Sequence, residues 1–252
     1  MRVCLPNLLY ISGMDKPAYF LSDAHLGIEP PGCVPDRESK LIRLLESWKG
    51  CASHVVFVGD LFEFWYEYRY YVVSKHMELF HALSDLVKSG TEVHLLEGNH
   101  DFAYGRFFPE ELGVKVHKEL VLEIQGRRVY FRHGDGVASS DYGYRFLRRV
   151  LDFPLNRWLF SQIHPDRGMA IARFVGRNSR KYGEDREIRL DQYLKWADCV
   201  MDKTSCDFCI HGHHHLAGIW EMEHGVAASA GEWIKRPAFL KMEKGGLSLI
   251  SL

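Results

Sequence analysis

Five short segments place side chains able to hold a divalent metal directly behind apolar, strand-like runs. They are YFLSDAH with Asp23 and His25, VVFVGDLFE with Asp60, VHLLEGNHD with Asn99, His100 and Asp101, VYFRHGD with His133, and CIHGHHH with His213 and His215. Carboxylate oxygen, amide oxygen and imidazole nitrogen together suit borderline ions such as Mn, Fe(II), Co and Zn, and no thiolate is required. A lone Asp behind a strand is usually a helix cap, and a lone His there is usually a hydrogen-bonded structural residue. Five such segments in one chain argue otherwise, because α/β sheets bind ligands beyond the carboxyl ends of their strands, where all five would converge. Two ions need a shared group, and Asp60 is expected to give one oxygen to each, holding them about 3.5–4 Å apart as two-metal hydrolysis requires. The glycines before Asp60, Asn99 and His213 are expected to permit the sharp turns that expose those side chains.

The elements that must position these residues read as a layered α/β fold. Ala18 to Ser22, His54 to Val58 and Glu92 to Leu96 are strand-like, and the amphipathic stretches Arg37 to Lys49 and Val72 to Ser89 between them are helix-like, giving βαβ units. Leu120 to Ile124 and Val129 to Arg132 flank a Gln125-Gly126 turn and predict a hairpin. From Tyr142 to about Lys203 the period is helical; from Phe208 to Ile250 short strands return, which predicts a mostly antiparallel sheet. For 252 residues, at about 150 per domain, one domain over 1–252 carrying a helical insertion at about 137–203 is the expected organisation.

Composition narrows the partners. Apolar residues at 46% and charged residues at 26% exclude disorder and low-complexity architectures. The 32 basic and 33 acidic side chains balance, so no global field draws the chain to nucleic acid, and none is expected as a partner. No apolar run is long enough to span a bilayer, and the first twenty residues lack the pattern of an export signal, so a cytoplasmic location is expected. Six sparse cysteines read as free thiols, Cys206-x-x-Cys209 included, since no second pair follows at zinc-ribbon spacing. Between residues 141 and 181 nine Lys or Arg stand against three Asp, interleaved with Phe146, Trp158, Phe160 and Phe174. Such a run is usually a solvated helical face, but basic and apolar groups on one short helical unit suit an amphiphile with an anionic head. The aromatic string from Phe62 to Tyr71 is either core packing or a wall for a nucleobase or acyl chain.

D-x-H, G-D-x-x-E, G-N-H-D, H-G-D and G-H-x-H, in this order across residues 23–215, resemble the motif set of the calcineurin-like metallophosphoesterases. The resemblance implies a four-layer α/β/β/α sandwich with a helical lid insertion. It also implies one metal on Asp23, His25, Asp60 and His215 and a second on Asp60, Asn99, His133 and His213, with manganese first among Mn, Fe(II), Co and Zn. In-line attack of water on phosphorus follows from it, with His100 meeting the phosphate or leaving oxygen as acid or electrostatic stabiliser and Asp101 orienting His100. His214 and His211 are expected to point away from the metals or to lie behind them.

The segments GDLFEFW, SSDYGYRFLRR, LDFPLNRWLF and ARFVGRNSRK resemble the UDP-2,3-diacylglucosamine hydrolases of lipid A synthesis, in which a helical lid holds two acyl chains. This implies a nucleotide-linked lipid substrate, a peripheral position on the inner membrane through the basic, apolar lid, and substrate contacts at Asn99, His100, Asp141, Ser179, Arg186 and His213. One departure is that the best-known members carry Arg where this chain has His100. The competing readings are a phosphodiesterase or phosphatase for another phosphoester, and a metal-dependent scaffold without catalysis.

Overall fold

The structure of the chain, a computed structural model, describes residues 16–252 apart from 69–70, 72, 102, 138–147, 152, 172–173 and 175–188. Its first sheet has six strands. β1 (Ala18–Leu21), β2 (His54–Phe57), β3 (Glu92–Leu96) and β4 (Lys115–His117) run parallel, and β10 (Ala238–Glu243) and β11 (Gly246–Ser251) complete it antiparallel on the β1 side. The second sheet has the order β5-β6-β7-β9-β8, from β5 (Glu119–Ile124), β6 (Arg127–Arg132), β7 (Phe208–Ile210), β8 (Ala217–Glu221) and β9 (Val226–Ala230).

Strand alternation builds the layers. In β1, Ala18 and Phe20 face the second sheet and join Val56, Leu96, Phe131, Ile210 and Leu240 in the inter-sheet core. Tyr19 and Leu21 face the other way, onto helices α1 (Arg37–Trp48) and α2 (Met77–Lys88), whose Leu41, Leu45, Leu79, Leu83 and Leu86 recur at helical spacing. Tyr19 stacks on Trp48 with ring centroids 4.0 Å apart. On the outer face of the second sheet, Tyr130, Cys209 and Ala227 pack against Ala197 and Met201 of a long helix (Leu190–Thr204). Three apolar clusters between four layers are the α/β/β/α sandwich. Cys206 and Cys209 are buried in the last of them as free thiols.

The hairpin turn is where the sequence placed it, with Gln125 at φ 53° and Gly126 at φ 74°, the left-handed pair that a two-residue turn needs. Two expectations are corrected. The second helix begins at Met77 after a 3-10 turn (Ser74–His76), not at Val72, because His76 is buried and its Nδ1 bonds the Glu38 carboxylate of α1 at 2.8 Å, fixing the entry. The strands from Phe208 to Ile250 do not make one mostly antiparallel sheet: β10 and β11 join the first sheet, and β7, β8 and β9 join the second, where β6–β7 and β7–β9 are parallel. That difference matters for the site, since parallel β6 and β7 deliver the loops carrying His133 and His213 to the same end.

Candidate metal centre

Each of the seven expected ligands follows a strand at one end of the sandwich, and the two sheets bring them together. Asp23, His25 and His215 offer ligand atoms within 4.8 Å of one another, and so do Asp60, His133 and His213. The Asn99 Oδ1 atom lies 2.7 Å from His213 Nδ1 and 3.1 Å from His133 Nε2, so Asn99 joins the second group. Asp60 Oδ2 stands between the groups, 3.8 Å from His25 Nε2 and 3.3 Å from His133 Nε2. Its Oδ1 accepts the His100 backbone N–H at 2.9 Å. One oxygen therefore faces both groups while the other accepts a backbone N–H.

Buried donors and acceptors fix the ring tautomers. His133 Nδ1–H donates to the Val58 carbonyl at 2.8 Å, leaving Nε2 for the centre. His25 Nδ1 meets the Glu63 carboxylate at 3.1 Å, so its Nε2 turns inward, 3.3 Å from His215 Nε2. The convergence is of lone pairs and carboxylates, an arrangement that wants positive charge between its members. Although burial opposes it, the charge of Asp60 holds the His133 imidazole well above its ordinary value; burial would likewise raise Asp60, but His133 beside it keeps that carboxyl far below the usual range. Burial, then His133, brings His213 down to about 4. Seven groups of the right chemistry, acceptors aimed at acceptors, fit divalent cations.

Backbone shape carries the same message. Asp23, His25, Asp60, His213 and His215 all have positive φ, between 44° and 69°, a costly conformation for residues with a Cβ, of order 1–3 kcal/mol each. The expected role of the glycines holds for one of the three and is corrected for the others. Gly59, before Asp60, takes φ 83°; Gly98 and Gly212 are absent from the left-handed region, and what they supply is room: a Cβ on Gly98 would stand 2.0 Å from Asp60 Oδ1, and one on Gly212 2.6 Å from Asp23 Oδ2.

His100 and Asp101 separate in role. His100 Nδ1–H donates to the Glu63 carbonyl at 3.0 Å, and its ring stands edge-on to His25 at 4.8 Å, partly open to solvent. Asp101 is buried and accepts from the backbone N–H of Asp60, Gly98 and Phe62 and from the Tyr104 hydroxyl. The expectation that Asp101 orients His100 is thereby replaced: Asp101 clamps the loops after β2 and β3, and Glu63 holds the His100 ring. Burial, then the Asp60 charge, pushes the Asp101 carboxyl up to about 7, while the Tyr104 and Phe62 donors pull it back. Glu63 was missed as a site residue, although it is the last letter of G-D-x-x-E; only its place behind both rings reveals its task.

Leu216 N–H donates to His214 Nδ1, so His214 Nε2–H donates to His211 Nδ1 at 3.1 Å, behind the centre. Burial brings this pair down to about 4 and about 3, and both rings stay neutral supports.

The aromatic string divides. Phe62 and Trp65 belong to the helix-side core, whereas Phe64 and Tyr66 pack on Phe160 of α3 (Pro154–Ser161), and the Tyr66 hydroxyl donates to the Arg157 carbonyl at 2.8 Å. Arg148 donates to the Gly98 carbonyl at 2.8 Å and to Glu97 Oε2 at 3.1 Å. The segment around α3 is thus tied to the very turn that carries Asn99 and His100. Its outer side is apolar: Leu155, Trp158 and Leu159 are at least half exposed, and Phe174 is 68% exposed. Asp141, Ser179 and Arg186, the expected lid contacts, lie outside the described residues.

The model of the calcineurin-like phosphoesterase family matches residues 16–217. A Porphyromonas gingivalis protein named UDP-2,3-diacylglucosamine hydrolase is 30% identical over 95% of this chain and 98% of its own length. An Aeromonas salmonicida protein of the same name is 30% identical over 90% of this chain and 89% of its own. Among solved structures, an archaeal phosphodiesterase aligns over 94% of this chain and 99% of its own at 13% identity with a TM-score of 0.49.

Proposed function

We propose that this chain, which belongs to the calcineurin-like phosphoesterases and is a metal-dependent phosphoester hydrolase, cleaves the pyrophosphate of UDP-2,3-diacylglucosamine to UMP and 2,3-diacylglucosamine 1-phosphate. The observation that carries the substrate is Arg148. It ties a segment with exposed Trp158 and Phe174 to the Gly98 turn at the centre, so an apolar surface begins where phosphate would sit. Relatives bearing that substrate's name, matched over nearly their whole length, support the same reading.

On this reading the chain is one domain over 1–252 whose lid runs from about 137 only to the start of the long helix at Leu190; the end of the expected 137–203 insertion is that helix, which packs on the second sheet as the fourth layer. Asp23, His25, Asp60 and His215 would hold one divalent ion, and Asp60, Asn99, His133 and His213 a second, with manganese first among the candidates. Such ions supply Lewis acidity and a nucleophile at neutral pH. The protein's own part is position and charge. With Nδ1–H fixed on the Glu63 carbonyl, the His100 ring is left with Nε2 to meet the phosphate or the departing oxygen. Asp101 acts only through the loops it clamps. Asp141, Ser179 and Arg186 would add substrate contacts from the lid.

No helix among the described residues is long and apolar enough to cross a membrane; the exposed apolar side of α3, beside exposed Arg149, suits peripheral contact with the inner membrane instead. Trp158→Asp is expected to weaken binding to anionic vesicles and raise KM for the lipid, with hydrolysis of a small nitrophenyl phosphodiester unchanged. Equal losses on both substrates would instead mark a folding defect. Arg148 is no probe of that surface: Arg148→Glu would meet Glu97 and unseat the segment.

The decisive assay is UMP release from UDP-2,3-diacylglucosamine in detergent with added Mn, beside the soluble diester. Lipid-selective release is expected; turnover of the diester alone would transfer the chain to a phosphodiesterase of other specificity.

A further inference from the structure

About 20 Å along the strands from the centre, at about 3.3 Å per residue, a second group of histidines sits on the inter-sheet face. His54 heads β2 and pairs in register with Glu92 at the head of β3; His94 pairs with Lys115 of β4, and His117 ends that strand. His54, Glu92 and His94 bring ligand atoms within 4.8 Å of one another. His94 is 2% exposed.

Its Nε2 has no hydrogen-bond partner among the described residues, and neither has the buried Nδ1 of His54. Glu92 Oε2 lies 3.6 Å from His94 Nε2, beyond hydrogen-bond reach. Buried polar atoms left without partners cost about 1–3 kcal/mol each, and native structures seldom leave two side by side.

From this geometry we infer that His54, Glu92 and His94 form a separate site for one transition-metal cation of the Zn2+, Ni2+ or Co2+ class. Two imidazoles and a carboxylate select such ions over Mg2+ or Ca2+, which favour all-oxygen cages. His117 supplies the outer contact: its Nε2, 3.2 Å from His94 Nδ1, accepts that ring's proton and leaves His94 Nε2 as the ligand atom. Burial, then His117 and Lys115, bring His94 down to about 4, so the ring is neutral as a ligand must be. One group opposes the ion. Lys115 Nζ already binds Glu92 Oε2 at 2.6 Å, and a cation there must share or displace it.

The opposition supplies the test. Full-length protein stripped with a chelator would be titrated with Zn2+, and bound zinc counted per chain, for the native sequence, His94→Gln, His54→Asn and Lys115→Met. The native chain is expected to bind one equivalent more than His94→Gln and His54→Asn, and Lys115→Met to bind that equivalent severalfold tighter by losing a like charge. Diester hydrolysis should be unchanged in all three. His54 is half-buried at a strand start, so His54→Asn keeps the test open should His94→Gln fail to fold. The same zinc count and affinity in His54→Asn as in the native chain would overturn the site, as would unaltered or weaker binding in Lys115→Met. Neither result bears on the substrate of the main centre.

Discussion

Asp60→Ala is expected to lower turnover by at least about a thousandfold, the loss of several kcal/mol of metal-derived stabilisation at 1.36 kcal/mol per factor of ten, and to empty both metal positions together. The reason is geometric. Asp60 Oδ2 faces His25 on one side and His133 on the other, so its removal takes the shared anion from both groups. It also releases the His100 backbone N–H held by Oδ1 and takes away the charge that holds the His133 ring well above its ordinary value. Asp60→Asn separates these effects. The amide keeps an oxygen for the His100 N–H and nearly the same volume, so the fold should persist while metal content falls. Metal counted per chain and turnover of the soluble diester are the two readouts. An Asn variant that retains both ions and normal turnover would remove Asp60 from the junction.

His100→Ala should behave differently. If the ring meets charge developing on the leaving oxygen, its loss removes about 2.7–4 kcal/mol, or a 10²–10³-fold fall in kcat, as with an oxyanion donor. Metal content should stay intact, because the backbone N–H that Asp60 uses survives the substitution and the ring's hydrogen bond among the described residues is to the Glu63 carbonyl. Loss of both ions in this variant would recast His100 as a ligand, a possibility that its closeness to His25 and Glu63 makes worth measuring.

The contrast between these two residues shows where reading the sequence succeeds. Asp60 and His100 stand in short motifs whose residue types announce metal and phosphate chemistry, and the apolar runs before them predict strands that β2 and β3 match within a residue. Glu63 and Asp101 stand in the same motifs and were read less well. Asp101 looks like a partner for its neighbour His100, yet it turns into the protein toward Gly98, Asp60 and Phe62. Adjacent side chains on a tight turn diverge, and which of them faces the solvent depends on the loop packed opposite. Phe62 and Phe64 make the same point, one in the core and one under α3.

What the sequence determined by itself is therefore local: which side chains can bind a metal, that each follows a strand, and that the strands alternate with helices in βαβ order. These follow from residue chemistry and from hydrophobic period, which act over a few residues. What only the tertiary structure decided is mutual: that β6 and β7 run parallel, so that His133 and His213 meet across Asn99, that Asp23 of one sheet faces His215 of the other, and that Arg148 reaches back to Gly98. Those relations join residues from 34 to 192 positions apart. They are set by sheet pairing and core packing, whose energy is shared among many side chains and written in no single motif.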